Sequence, residues 1–350
     1  MQYQQLGRTG VFVSRLCFGA MTFGGRDHPL FKYIGGQTQR EADNLVRAAL
    51  DAGINFFDTA DVYSSGESET MLGKALGSRR KDVVLATKLT GRVGAGPNQV
   101  GQSRIHIMDS VENSLKRLGT DHIDLYQIHL FDPFTRFDES LRTFDDLIHH
   151  GKIRYIGCSN LAAWQIMKAL GISKHHGWQK FVSVQAYYSV VGRDIEREIV
   201  PLVESEKLAL LTWSPLAGGL LSGKFTRDSQ PKEEARRTHF DFPPVKLEFA
   251  YTVIDVLRKV AKRHNTSVAK VALAWQLHKP FITSIIIGAK NIAQLQDNLG
   301  ATDLVLTIED LIEIDAVSML CTEYPEWMHR NIRERLPGQT QDWSSTIKKP

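Results

Sequence analysis

Residues 54–63, INFFDTADVY, decide the architecture: an apolar, aromatic-rich run too short for a helix ends on Asp58, and Tyr63 follows five residues later. The same form recurs in VVLATKL (83–89), which carries Lys88, and in DLYQIHL (124–130), which carries His129. Such runs suit parallel strands covered on both faces, and each is followed by a segment of helical period, the alternation expected of βαβ units. Working outward, RLCFGA (15–20) precedes them, and YIGCSN (155–160), SVQAYYS (183–189), ALLTWSPL (209–216) and TSIIIGA (283–289) follow, which makes eight strand candidates.

The helical segments are punctuated. Thr38 and Glu41 form a capping-box pattern ahead of Leu45, Val46, Ala49 and Leu50, with Gly53 as the stop. Ile107, Val111, Leu115 and Leu118 share a face before Gly119, as do Leu141, Phe144 and Leu147 before Gly151. Eight strand–helix units predict an α/β fold, a closed (β/α)8 TIM barrel; an open doubly wound sheet usually has fewer strands and a GxGxxG after the first, and no GxGxxG occurs. YQQLGRTGVFVSRL (3–16) reads as an N-terminal β-hairpin set before the barrel. The domain expected is one barrel over 1–350, with its core at about 3–320 and a polar, extended C-terminal extension from 321.

Polar residues at successive strand ends lie 26–41 positions apart from Asp58 to Ser214, but Ser214 and Gly288 are 74 apart. An insertion is therefore expected at Ala217–Phe249, with a smaller one at Gly91–Ser103, both as long loops over the C-terminal mouth where barrel active sites lie.

Composition narrows the function classes. With 43 Lys and Arg against 39 Asp and Glu, the net charge of +4 is too small to suggest a nucleic-acid binder. A mean hydropathy of −0.22 and the lack of a long apolar run argue against membrane insertion. The N-terminus lacks the pattern of a signal peptide, and Cys17, Cys158 and Cys321 lie far apart, so a reducing cytoplasm is the expected compartment and neither a disulfide framework nor a zinc site is expected. His149-His150 ends a helix and His175-His176 falls in a polar stretch; neither pair has ligand spacing.

If the strands form a barrel, Asp58, Tyr63, Lys88 and His129 meet at one mouth. A phenol of pKa near ~10 is a poor acid at neutral pH, and an adjacent ammonium is expected to lower that value. A buried ammonium in turn needs an anion, which Asp58 supplies. The set reads as Asp58 holding Lys88, Lys88 tuning Tyr63, and His129 orienting a carbonyl oxygen that Tyr63 protonates. Any one of these residues alone is more often a cap or a tether; four complementary groups on consecutive strand ends are harder to dismiss.

The other strand ends form a second set. Ser159, Asn160 and Gln185 could hold a carboxamide, and Trp213 offers a flat face to a heteroaromatic ring. Gly288-Ala289-Lys290, followed by a helix over 291–299, has the form of a late-barrel phosphate site. Residues 218–225, GGLLSGKF, match the spacing GxxxxGK, but Phe225 stands where a magnesium-binding Ser or Thr is needed, so an NTPase is set aside. Phe23, Tyr33, Phe131 and Tyr188 are candidates for an aromatic substrate pocket, with Phe240 or Phe242 as its cover.

The chain closely resembles the aldo-keto reductase superfamily, and within it the bacterial and potassium-channel β-subunit-like branch. The likeness runs from about Tyr3 to Leu320 and rests on LGRTG, VSRLCFGAMTFG, NFFDTADVYSSGESETMLGKAL, ATKL, SLKRLGTDHIDLYQIH, GKIRYIGCSN, VQAYYS, WSPLAGGLLSGK and IIGAKNIAQLQDNLGA, in the family's order. The resemblance implies an oxidoreductase in which hydride from a nicotinamide dinucleotide reduces an aldehyde or ketone, with Asp58, Tyr63, Lys88 and His129 as the catalytic tetrad and Tyr63 as general acid. It implies cofactor contacts at Gly19, Ala20 and Met21, at Asp58, at Ser159, Asn160 and Gln185, and at Trp213. It further implies a pyrophosphate loop of Ser214, Leu216, Gly218, Leu220 and Lys224, and an adenosine end at Gly288, Lys290, Gln294 and Asn298. Two residues depart from the common pattern: Trp213 where Tyr is frequent, and Lys290 where Arg is frequent. Lys offers a point charge and no bidentate fork, yet at that helix start it favours NADPH over NADH. A small-molecule carbonyl substrate is the expected partner. The alternative is a cofactor-sensing regulatory or binding subunit on the same fold, which fold alone does not exclude. A metal-dependent hydrolase fails on Lys88, which stands where a ligand would be wanted.

Overall fold

The computed structural model describes residues 1–227 and 236–329. Its first strands, β1 (Tyr3–Gln5) and β2 (Phe12–Ser14), form the expected antiparallel hairpin. Gly7 turns it at φ +60°, and a Cβ there would meet the Val182 carbonyl oxygen at 2.5 Å, so only glycine fits. Leu6 and Val13 of the hairpin pack with Cys17, Phe56, Ala86, Leu125, Ala209, Leu211 and Ile286 and fill the barrel from its N-terminal end.

The barrel strands are β3 (Leu16–Gly19), β4 (Phe56–Asp58), β5 (Val84–Leu89), β6 (Ile123–Ile128), β7 (Ile153–Ser159), β8 (Phe181–Tyr187), β9 (Ala209–Trp213) and β10 (Ser284–Ile287). All neighbouring pairs are parallel, and β10 pairs with both β9 and β3, which closes the ring. The (β/α)8 barrel expected from the sequence is the fold observed.

Short helix α1 (Phe31–Ile34) follows β3 and precedes α2 (Gln39–Asp51). The outer helices continue with α3 (Glu67–Leu76), α4 (Arg104–Leu118), α5 (Phe137–His149), α6 (Ala163–His176) and α7 (Ile199–Glu206). The capping box at α2 is present in full: Thr38 Oγ1 accepts from Glu41 N, and Glu41 Oε2 accepts from Thr38 N at 2.7 Å. Ile107, Val111, Leu141, Phe144 and Leu147 are buried between helices and barrel. His175 and His176, expected in a polar stretch, are the last residues of α6.

The long connection after β9 begins with the expected insertion, of which residues 228–235 lie outside the described ones, and continues beyond it. It opens with a 3-10 turn over Ala217–Ser222 and the short α8 (Arg236–His239), but Leu247–Arg263 is a full helix, α9, ahead of α10 (Val268–Leu277). Much of the excess length is thus a packed helix: Ala250, Val253, Ile254, Leu257 and Val260 of α9 are buried. Helices α11 (Ile292–Leu299) and α12 (Ile308–Ser318) complete a compact unit spanning Met1–Ser318. A second unit begins at Met319, and its described part contains a single helical turn, α13 (Glu326–His329), where an extended tail was expected. The rest of that tail lies outside the described residues.

Candidate active site

Strand alternation builds the site. Inward positions of β3, β4, β5 and β9 fill the barrel with Cys17, Phe56, Ala86 and Leu211, and two residues further along the same faces stand Gly19, Asp58, Lys88 and Trp213. Register aligns these ends: Gly19 lies opposite Asp58, Lys88 opposite Gln127, and Ser159 opposite Gln185. One layer above the apolar filling, the barrel therefore presents a ring of polar groups.

At its centre is a buried ion pair. Lys88 Nζ donates to Asp58 Oδ1 at 2.5 Å and to the Thr59 carbonyl oxygen at 2.8 Å, with the lysine fully inaccessible to solvent. Asp58 Oδ2 accepts from Gln185 Nε2 at 2.9 Å and from Gln127 Nε2 at 3.2 Å. A buried pair of charges is tolerable when its remaining lone pairs and protons are matched, and here they are. Burial works against the ammonium, yet Asp58 and Tyr63 outweigh it and hold the Lys88 pKa above the ordinary lysine value.

Tyr63 sits over this pair, its ring centroid 5.1 Å from Lys88 Nζ and 5.7 Å from the His129 ring, which it meets edge-on. Burial raises the phenol's pKa and Asp58 adds to the rise, while Lys88 and Arg236 lower it; the net result lies above the ordinary value. Lys88 pulls in the expected direction, but desolvation is the larger effect, so the expectation of a lowered pKa is corrected. His129 is pushed down to about 3, first by burial and then by Lys88, and is a neutral imidazole at physiological pH. All four expected catalytic residues thus meet: an ion pair below, a protonated phenol above it, and a neutral imidazole at its side.

The second set surrounds them. Asn160 Nδ2 donates to the His129 carbonyl oxygen at 2.9 Å and Asn160 Oδ1 accepts from Trp213 Nε1 at 3.1 Å, so Asn160 ties the two sets together. Ser159 is buried at the end of β7. Phe242 lies flat on Trp213, with centroids 5.6 Å apart and an interplanar angle of 9°. Ser214 Oγ accepts from Gly218 N at 3.2 Å and folds the loop that follows into a tight turn. Gly218 has φ +66°, and a Cβ there would meet the Phe242 carbonyl oxygen at 2.4 Å. Gly219, beside it, faces open space. Leu220 is fully buried, Leu216 half-buried and Lys224 exposed. The GxxxxGK spacing falls in this 3-10 turn, without the strand-to-helix setting of a phosphate-binding P-loop.

At the far end, Asn291 caps α11 by accepting from Gln294 N at 2.9 Å. Gln294 Oε1 accepts from Lys290 N at 2.8 Å, and Asn298 Nδ2 donates to the Gly288 carbonyl oxygen at 3.1 Å. These amides brace the backbone that carries Lys290 at a helix N-terminus, where an anion is favoured. Gly19 and Ala20 are buried at the end of β3, with Ala20 N bonded to the Asp58 carbonyl oxygen at 2.8 Å, and Met21 is half-buried. The cradle fits a nicotinamide dinucleotide: two glycines, Gly219 and Gly288, leave open room, Trp213 supplies a flat ring, and a cation stands at a helix start.

Sequence reasoning missed three residues here. Gln127 lies on β6 two positions before His129, which directly follows that strand, so period-two alternation could have found it. Phe31, whose ring is 6.1 Å from that of Tyr63, and Arg236, the first residue of the short α8, have no such signal. Conversely, Phe23 and Tyr188 are fully buried against Phe18 and Trp275 and present no open surface to a substrate. Among the described residues no group of three or more His, Cys, Asp or Glu could hold a metal ion, and no helix is long and apolar enough to cross a membrane.

Comparison with known proteins bears on the family of the whole chain. The model of the aldo/keto reductase family matches residues 15–319. An "Uncharacterized oxidoreductase YrpG" of Bacillus subtilis is 37% identical over 322 residues, covering 89% of this chain and 94% of its own. A "Probable voltage-gated potassium channel subunit beta" of Oryza sativa subsp. japonica is 38% identical over 331 residues, covering 91% and 96%. The versiconal hemiacetal acetate reductase of Aspergillus parasiticus is 33% identical over 341 residues, covering 89% and 95%. A family match over nearly the whole barrel, with an intact ring of strand-end residues, leaves one conclusion: the chain belongs to the aldo/keto reductase family and is an NAD(P)H-dependent oxidoreductase of its bacterial and potassium-channel β-subunit-like branch.

Proposed function

We propose that the protein reduces an aldehyde or ketone to the alcohol with NADPH, using Tyr63 as general acid. The observation that carries this reading is the buried Lys88–Asp58 pair at 2.5 Å beneath a phenol whose pKa burial raises. NADPH, when bound, supplies the hydride. Trp213 with Ser159, Asn160 and Gln185 would hold its nicotinamide end, the turn from Ser214 to Lys224 its pyrophosphate, and Gly288, Lys290, Gln294 and Asn298 its adenosine end.

Burial keeps the proton on Tyr63 until the carbonyl oxygen gains negative charge and can take it. The phenolate left behind is then stabilised by Lys88, whose own charge Asp58 secures. Neutral His129 donates a hydrogen bond to the same oxygen and orients the carbonyl without adding a competing charge. Gln127 and Gln185 hold Asp58 in place and keep water from its lone pairs. Lys290, at the start of α11, recognises the 2′-phosphate that distinguishes NADPH from NADH. Cys17 and Cys158 are buried thiols, which suits a reducing compartment such as the cytoplasm.

A second reading, a cofactor-sensing regulatory subunit, is favoured by the similarity to the rice protein named as a channel subunit. One experiment separates the two: a panel of aliphatic and aromatic carbonyls is mixed with protein loaded with NADPH or NADH, and absorbance is followed. Rapid oxidation of bound NADPH supports the reductase. Oxidation no faster than in protein-free cofactor supports the sensor.

A further inference from the structure

Immediately after Tyr63 the backbone turns left-handed. Ser64 and Ser65 have φ +51° and +54°, and Gly66 follows at +91°, so three such residues stand in a row and only the last is glycine. This conformation crowds the Cβ of any L-residue, persists only where the surroundings hold it, and gathers at functional sites. Ser65 is exposed. Ser64 is buried and donates through Oγ to the Phe23 carbonyl oxygen at 2.9 Å, a bond that the proton transfer described above does not use.

The anchor at Phe23 is itself fixed. Its side chain is fully buried with the ring 5.7 Å from that of Phe18, and its backbone is bridged to Gln37, whose Nε2 donates to the Ala289 carbonyl oxygen at 2.8 Å. Beside it the two loops meet at close range. Glu67 Oε2 accepts from Gly25 N at 2.6 Å, and a Cβ on Gly25 would meet Ser64 Oγ at 2.7 Å and Phe31 Cβ at 2.5 Å. Gly25 is thus wedged between Ser64 and Phe31, and the Phe31 ring stands 6.1 Å from that of Tyr63. On the other side, Asp61 N donates to the Lys88 carbonyl oxygen at 3.1 Å and Tyr63 N to the Ala60 carbonyl oxygen at 3.2 Å. The backbone that carries the phenol is therefore held at two points, the strand end before it and Ser64 after it.

We propose that Ser64 is a positioning residue: its hydroxyl, anchored on the Phe23 carbonyl oxygen, holds the left-handed turn that sets the Tyr63 phenol over Lys88. This rests on the reductase reading and deepens it by naming the residue that fixes the general acid in place. Proton transfer needs the phenolic oxygen within hydrogen-bond reach of the substrate oxygen, and a misplacement of about 1 Å costs on the order of 10²-fold in rate.

The test separates the tether from the strain. Ser64→Gly removes the hydroxyl but adopts a positive φ freely, whereas Ser64→Ala removes it and keeps the crowding. Ser64→Gly should melt near the wild-type Tm and Ser64→Ala below it, while both lose single-turnover reduction of a common aldehyde by about 10–100-fold. NADP affinity, read from tryptophan quenching, stays within about twofold. If Ser64 served stability alone, the rate would follow Tm and Ser64→Gly would turn over like wild type; that result overturns the proposal. Carbon NMR of protein carrying Cζ-labelled tyrosine reads the phenol without turnover, with the Tyr63 resonance assigned by its loss in Tyr63→Phe. A displaced or doubled Tyr63 resonance in Ser64→Gly is expected, and an unchanged one overturns the proposal whatever the rate. If wild-type protein reduces no aldehyde, the reductase reading fails, and a displaced resonance still supports Ser64 as the residue that sets the phenol.

Discussion

The floor of the site and its roof are built by different means. On the floor, Asp58, Lys88, Gln127 and Gln185 come from four strands and spend their polar atoms on one another at 2.5–3.2 Å, all buried. In the roof, α8 and the turn after β9 hold their residues through Arg237, a stacked Phe242 and backbone turns at positive φ. A floor without spare hydrogen bonds suits chemistry that is the same for every substrate. A roof held by turns and aromatic stacking suits choice among substrates. Changes to the floor should therefore cost rate or stability, and changes to the roof and cofactor groove should alter selectivity.

The largest effect is expected at the floor. Lys88→Met leaves Asp58 buried with only two amides, and truncating one partner of such a pair typically costs about 3–5 kcal/mol. It also removes the cation that stabilises the phenolate, so we expect a fall in Tm together with a loss of activity of about 10²–10⁴-fold, measured by thermal melts and cofactor oxidation. A variant with near wild-type turnover would dissolve the distinction between floor and roof.

Lys290→Met, in the groove, should act differently. We expect an NADPH preference of roughly 10–150-fold in dissociation constant to vanish, with aldehyde turnover at saturating cofactor little changed. Tryptophan quenching by NADP and NAD measures it; a variant with intact selectivity would remove Lys290 from the site.

Asp61, three residues beyond Asp58, gives a subtler test. Both its carboxylate oxygens are buried without partners, and burial followed by the charge of Glu69 raises its pKa to about 8. Because the folded pKa lies above the unfolded value, its contribution to stability is complete below about pH 4 and is lost as pH rises toward 8. Asp61→Asn should therefore gain Tm on the wild type between pH 5 and pH 8, and an equal difference at both would contradict the assignment. The smallest effect concerns kcat itself. With His129 at about 3 and Tyr63 above its ordinary range, neither titrates between pH 5 and 7.5, and the profile should be level there.

The floor was legible in the sequence because strand alternation ties a residue's face to its parity: Asp58, Lys88 and His129 could be placed from spacing alone. The same rule offered Gln127, two positions before His129. The roof was less legible. The excess between β9 and β10 reads equally well as one long loop or as a turn followed by a helix, since α9 has no Ser, Thr, Asp or Asn at its start, where Lys246 stands. Nothing in the pattern RRTH tells that Arg237 is tethered, because that depends on the Ala217 and Pro243 carbonyl oxygens brought near by the turn. The direction of the Tyr63 pKa was likewise beyond a reading of neighbours alone, since burial had to be weighed against charge.

Single-turnover reduction of a common aldehyde by Tyr63→Phe tests the central claim most directly. The phenol is replaced by an isosteric ring that keeps its packing against Phe31 and His129 and loses only the proton. The account predicts a rate lower by about 10²–10⁴-fold with NADP affinity, read by tryptophan quenching, within about twofold of wild type. A variant that keeps more than about a tenth of the wild-type single-turnover rate would contradict it, since general acid catalysis by Tyr63 could not then be the source of the acceleration.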